Sequence, residues 1–148
     1  MIGTGHWYQV SDADPAVISF YRRHYSARKA HSGRYKPQVG GIVGPCERLV
    51  MATPNFDAIW AWANPDSRYR DDHQEGIRCA VFRNEGPTRS SDLIREACDI
   101  AWRRWPGQRL YTYVEPGAVK SVNPGYCFKV AGWTTCGACR SRSSRTCA

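Results

Sequence analysis

No apolar run in this chain approaches the roughly 18 to 20 residues that a membrane span requires. A leader-type apolar stretch is missing too, because Asp12 and Asp14 follow soon after Met1. The expectation is a soluble protein of the cytoplasm, with no membrane partner. Acidic residues are scarce: 13 Asp and Glu stand against 21 Lys and Arg, for a net charge of +8. Internal repeats are lacking, and low complexity is confined to the Arg/Ser/Cys tail over 140–147. The seven cysteines are an odd number, and most fall within apparent strands or helices, which argues against a secreted disulfide scaffold.

What is present points to a folded globule. The 148 residues suit one domain with a real core, and 42% apolar content with six Trp is too rich in burial-prone side chains for a disordered basic tail. Positive charge is also focused. Arg22, Arg23, Arg28, Lys29, Arg34 and Lys36 occur with no acid between them, and Arg140, Arg142 and Arg145 follow in the tail. Such a cluster suits a polyanion, since each neutralised phosphate releases a counterion. A solvated face with a floppy tail reads equally well from charge alone.

Asp14-Pro15 is a cap followed by proline at the first helical position, and Val17, Ile18, Tyr21 and Tyr25 recur at helical spacing, so a helix is expected from about Pro15 to Tyr25. The basic, glycine-punctuated stretch 26–38 then reads as a loop. Ile42–Val43 and Leu49–Thr53 read as strands. Phe56–Ala63 reads as a third, with Phe56, Ala58, Trp60 and Trp62 on one face by period-two counting. Ile77–Phe82 is a buried-strand candidate, and RNEGPTRSS leads from it to serines suited to capping a helix over Asp92–Trp105. Leu110–Glu115 reads as a strand. Asn123-Pro124 opens a short helix to about Val130 that ends at Gly132, and Trp133–Cys136 reads as a last strand.

This order, ending in NPGYCFKVAGW, resembles the N-acetyltransferase fold known as GNAT, whose last helix and strand commonly read as an aromatic, three residues, Gly and an aromatic. Phe128, Gly132 and Trp133 stand at those positions. A narrower resemblance is to the Mom-like bacteriophage DNA-modification family of that fold. It is carried by His24-Tyr25-Ser26 with Arg28-Lys29, by TRSSDLI at the helix start, by Tyr113-Val114-Glu115-Pro116 and by the terminal NPGYCFKVAGW. The resemblance implies a single GNAT-like α/β domain over 1–139 with a mixed, mostly antiparallel sheet splayed near Phe82 and Glu115, followed by a basic tail over 140–148. It further implies transfer of a carbamoylmethyl-type group to adenine N6 in double-stranded DNA, an anti-restriction role, and the cytoplasm of a bacterial host. Acetyl-CoA or another CoA-type donor is the implied cofactor; a metal ion and a homodimer stay open.

Two departures from the acetyltransferase pattern stand out. The usual phosphate loop has small residues that let backbone N–H groups close around a pyrophosphate, whereas this chain reads Glu85-Gly86-Pro87-Thr88-Arg89-Ser90. Pro87 lacks a donor, and Arg83, Arg89, Ser90 and Ser91 are the remaining candidate contacts to an anionic cofactor. In addition, Phe128 replaces the general-acid Tyr, so thiolate protonation from that position is excluded.

In the Mom-like pattern His24 and Tyr25 belong to the active site; alternatively Tyr25 is a core aromatic and His24 a helix-terminal residue favoured by the macrodipole. Glu115 matches a family Asp and would take the amine proton, or it is a strand-end carboxylate paired with Lys120 or an Arg. Arg22, Arg23, Arg28, Lys29, Arg34 and Lys36 are the nucleic-acid candidates. Tyr21, Tyr25 and Tyr35 flank them, and Trp102 and Trp105 flank Arg103 and Arg104, as stacking platforms or simply as core. Cys136, Cys139 and Cys147, and separately Asp71-Asp72-His73, are minor metal candidates. Two other functions stay open: an ordinary acetyl-CoA-dependent acetyltransferase on a protein or small-molecule amine, and a non-catalytic nucleic-acid-binding module.

Overall fold

Apolar residues on both sides of the central strands require cover on both faces, and the computed structural model supplies it with helices above and below one mixed sheet. The structure describes residues 5–23, 42–43, 46–65, 75–114, 123, 125–135, 137–138 and 146–147. In chain order these form β1 (Tyr8–Val10), α1 (Pro15–Tyr21), β2 (Glu47–Ala52), β3 (Ala58–Asn64) and β4 (Ile77–Asn84). Then come α2 (Ser90–Arg104), β5 (Leu110–Val114), α3 (Tyr126–Val130), β6 (Gly137–Ala138) and β7 (Thr146–Cys147). The sheet order is β1-β2-β3-β4-β5-β7-β6. Every pairing is antiparallel except β4 with β5, which run parallel because α2 carries the chain back between them.

β3 lies at the centre and explains its own sequence, AIWAWAN. Trp60 and Trp62 point to the side of α2 and α3, while Ile59, Ala61 and Ala63 point to the side of α1. The indoles are anchored as well as packed: Trp62 Nε1 donates to the Ala97 carbonyl at 3.1 Å, and Trp7 Nε1 donates to that of Leu93 at 2.8 Å. Between β3 and β4 the register slips at Ala61/Trp62, which sets both Ala80 and Val81 on the α1 side and returns Phe82 to the α2 side.

Several expectations are corrected. α1 stops at Tyr21, where the Arg22 N–H donates to the Ile18 carbonyl and the Arg23 N–H to that of Phe20. Phe56 does not share the Trp face. It lies in the β2–β3 turn at φ 53 and packs against the α1-side core, because the turn reverses the chain before β3 begins. Ile42 and Val43 are bends, although both are buried. α2 begins at Ser90 with Arg89 at the N-cap and no side-chain cap, so the serines lie inside the helix instead of capping it. α3 starts at Tyr126 behind Gly125, whose φ of 77 favours glycine. Trp133–Thr135 is not a strand: the described strands near this end are β6 and β7, and Thr146–Cys147 pair with Val114 and Tyr113 of β5. β1 had no period strong enough to be read over three residues.

Gly76 immediately precedes β4 at φ +115, and a Cβ there would overlap the Arg109 carbonyl oxygen. That oxygen accepts the Ile77 N–H at 2.7 Å in the approach of β4 to β5, so it has nowhere to move. Gly76→Ala should therefore lower stability by more than about 1 kcal/mol, read as a drop in the urea midpoint. An unchanged midpoint would show that the approach of β4 to β5 is looser than described.

Candidate functional site

β4 and β5 pair through only three rungs, Ile77↔Leu110, Arg78↔Tyr111 and Cys79↔Thr112, and then part. The buried Thr112 hydroxyl donates to the Cys79 carbonyl at 3.0 Å on the last rung. Beyond it, the facing edges of Ala80–Phe82 and Tyr113–Val114 form no ladder with each other. A notch of about 30 Å³ opens there, lined by Cys79, Ala80, Phe82, Thr112, Tyr113, Val114 and Phe128. It has room for a water or two, or for a group of a few heavy atoms, but not for a nucleobase. Phe128 lies 6.0 Å from both Phe82 and Trp60, ring centre to ring centre, so the floor of the notch is continuous with the aromatic core.

From the notch β4 runs into the loop that starts α2. Asn84 organises this loop: its Nδ2 donates to the Thr88 carbonyl at 2.6 Å and to Ser90 Oγ at 3.0 Å, and its Oδ1 accepts the Gly86 N–H at 2.9 Å. Asp57, from the β2–β3 turn, backs it. The Asp57 carbonyl accepts the Glu85 N–H at 2.7 Å, and a Cβ on Gly86 would meet the Asp57 carboxylate at 2.5 Å. Asp57 itself is held by hydrogen bonds with Thr53.

This bonding decides which sequence candidates face an anion. The Gly86 N–H is used inside the loop, Arg83 pairs with Glu85, and Ser90 Oγ accepts from Asn84 while keeping its own proton to donate. Arg89 is exposed at the N-cap of α2, whose first turn has no side-chain cap. Ser91 is 3% exposed, and its Oγ has no hydrogen-bond partner among the described residues. Arg89 and the uncapped first turn are thus what an anion could meet at this helix N-terminus, whereas the Ser91 oxygen is shielded from solvent.

The nucleic-acid candidates Arg22 and Arg23 are exposed just past α1, whereas Tyr21 is buried in the α1-side core. Trp105 is likewise core; Trp102 is half exposed and donates its indole N–H to the Gln108 carbonyl at 3.1 Å. Hence the described part of the 21–36 stretch contributes cations but no free aromatic face. His24, Tyr25, Arg28, Lys29, Arg34, Lys36 and Glu115 lie outside the described residues, as do Asp71, Asp72, His73, Cys136 and Cys139. Among the described residues no group of three or more His, Cys, Asp or Glu could hold a metal ion, and no helix is long and apolar enough to cross a membrane.

Glu85, Asn84 and Asp57 were not singled out by sequence reasoning. Asn84-Glu85-Gly86 does carry a turn signal, but the approach of Asp57 depends on the register of the β2–β3 hairpin.

The thiols described are poor nucleophiles. Burial raises Cys46, Cys79, Cys98 and Cys127 above the ordinary value of 9.0, and Cys98 reaches about 11. A folded-state value above the unfolded one has a fixed sign: near pH 9 the unfolded chain begins to release a proton that the folded chain keeps, so stability falls from there towards pH 11. Melting midpoints should therefore drop between pH 8 and pH 10.5, and Cys98→Ala should drop less than the parent chain. Equal drops would remove Cys98 from the alkaline transition.

No family model, curated protein or solved structure matches this chain.

Proposed function

We propose that the chain is a GNAT-like transferase that places a small acyl-derived, carbamoylmethyl-type group on adenine N6 in double-stranded DNA. The observation that carries this reading is the parting of β4 from β5 beside the uncapped start of α2. A notch sized for a small transferred group opens where the β4–β5 ladder ends, and an extended donor could lie in that gap. One loop further on, Arg89 and the first turn of α2 would hold a phosphate of a CoA-type donor. Bound there, such a donor would supply the activated group.

The chain's own residues would do the rest. A base flipped from the duplex is too large for the notch, so it would stand outside with only its amine directed inward. Glu115 follows the last residue of β5 and is the first candidate to take the N6 proton as the new bond forms; His24 is the second. Tyr25 would hold the base, and the basic residues of 22–36 would meet the phosphates. An ordinary acetyltransferase is the second reading; Phe128 lines the notch and has no proton for a departing thiolate, so with a CoA-type donor either reading needs the leaving group protonated from elsewhere. Mass spectrometry of nucleosides from DNA of cells expressing the chain tests the proposal. A modified deoxyadenosine is expected, and its absence beside an acetylated protein or small amine would overturn it.

A further inference from the structure

Two arginines assigned from the sequence to different ligands converge on one carboxylate oxygen. Arg23, just past α1, places Nε 3.0 Å from Glu85 Oε2, and Arg83 of β4 places its own Nε 2.5 Å from the same atom. Arg83 Nη1 also donates to the Arg23 carbonyl at 2.7 Å, which fixes the two guanidinium groups relative to each other across 60 residues of sequence. We propose that Arg23 and Arg83 form a phosphate seat in which the Glu85 carboxylate is an internal stand-in, displaced when a phosphate group binds.

The chemistry of the three groups supports exchange. Two cations share a single negative charge, so the cluster keeps an excess of one positive charge, which a phosphate would neutralise with more acceptor oxygens than a carboxylate has. The side chains are 48%, 34% and 34% exposed for Arg23, Arg83 and Glu85, so displacement needs no unfolding, and ion pairs this exposed are weak. Arg23 is further seated by its guanidinium lying 4.6 Å from the Phe20 ring centre and by a long bond to the Ser19 carbonyl. The cations are thus positioned independently of the carboxylate they hold. The seat joins the end of α1, where the cluster of six cations begins, to the loop that opens α2, so a phosphate there touches both proposed ligand regions.

The phosphate has two sources, a DNA backbone or an anionic cofactor, and separate titrations of the full chain distinguish them. A labelled DNA duplex and inorganic pyrophosphate are each titrated into the parent chain, Glu85→Gln and the double variant Arg23→Gln/Arg83→Gln at fixed salt. Removing the stand-in should tighten binding roughly two- to five-fold, the size of an exposed ion pair, and the double variant should weaken it. A gain with the duplex alone assigns the seat to DNA, and a gain with pyrophosphate alone assigns it to the cofactor. A second readout follows Glu85 itself. The hydrogen bonds from Arg23 first and Arg83 second hold its carboxyl below the usual range, so saturating phosphate should return it towards 4.5 in a carboxyl-carbon NMR titration. Unchanged or weaker binding by folded Glu85→Gln, or a Glu85 titration indifferent to both anions, overturns the seat. The inference does not depend on adenine transfer: modified deoxyadenosine with an unaltered Glu85→Gln affinity would keep the proposed function and discard the seat.

Discussion

Trp60→Ala is expected to remove about 3 to 5 kcal/mol of stability, a large share of what a domain of this size has, since total stabilities run roughly 5 to 15 kcal/mol. The indole is fully buried, and its ring centre lies 4.9 Å from those of Trp62 and Phe82, 6.0 Å from Phe128 and 6.4 Å from Trp7. Four aromatic neighbours would face the cavity, and none can collapse into it freely. Trp62 and Trp7 are tethered by their own N–H bonds to α2, and Phe82 is fixed in β4 next to the register slip. For a chain of this length the loss corresponds to a melting midpoint lowered by roughly 6 to 20 °C. Trp60→Phe should lose less, because a smaller ring still fills part of the space, and Trp102→Ala on the exposed side of α2 should change stability by under about 1 kcal/mol. If Trp60→Ala melts near the parent midpoint, the aromatic core is not what holds α2 to the sheet. The prediction also bears on the notch: with Phe82 and Phe128 both resting on Trp60, a chain that survives the truncation should have a softened floor and weaker affinity for any donor held there.

The legible parts of the fold were those whose signal lies within one element. The Ala/Trp alternation of β3, the apolar run of β4 and the stripe of Leu93, Ile94, Ala97 and Ala101 on α2 each report their own burial. Boundaries failed where a tertiary contact, not a local period, ends the element. Phe56 continues the alternation of β3 in sequence, yet a residue in the left-handed region leaves the strand face. Trp133 looks like the start of a strand, yet its ring is taken by the core, stacking at 6.4 Å on Trp62 and lying 5.0 Å from Phe128. β4 and β5 part after Cys79 and Thr112, whereas the expected splay near Phe82 and Glu115 came from the resemblance and from no period in the sequence, and Glu115 lies outside the described residues. The loop beyond β4 was legible only as a list of donors. That Arg23 and Arg83 share Glu85, that Asn84 donates to Ser90 and that Asp57 crowds Gly86 are facts of pairing between residues up to 62 apart, and no period records them.

Glu115→Gln is expected to reduce DNA modification on the order of 10² to 10⁴-fold with the melting midpoint little changed. The adenine N6 lone pair is delocalised into the ring, so the amine attacks only if its proton is taken as the new bond forms. The nitrogen gains the carbon, the proton passes to the base and the donor's leaving group departs with the electron pair. Among the described residues that line the notch, the Cys79 thiol is raised by burial, Phe128 has no ionisable group, Thr112 spends its hydroxyl on the Cys79 carbonyl, and Tyr113 offers a phenol but no carboxylate. Glu115 is the first residue in sequence beyond Val114, which lines the notch, and that adjacency is what makes it the first candidate under the proposed mechanism. Gln keeps the size and a hydrogen-bond acceptor but cannot take a proton, so it separates proton transfer from amine binding. Under the proposed mechanism kcat should fall with KM for the DNA nearly constant. Tyr25→Phe should do the reverse, weakening DNA binding more than turnover, because a phenol that holds the base contributes to binding. His24→Gln should fall between the two if imidazole passes the proton onward. Near-full activity of Glu115→Gln would reduce Glu115 to a strand-end ion-pair partner, and activity retained by all three variants would remove the Mom-like site from this chain altogether.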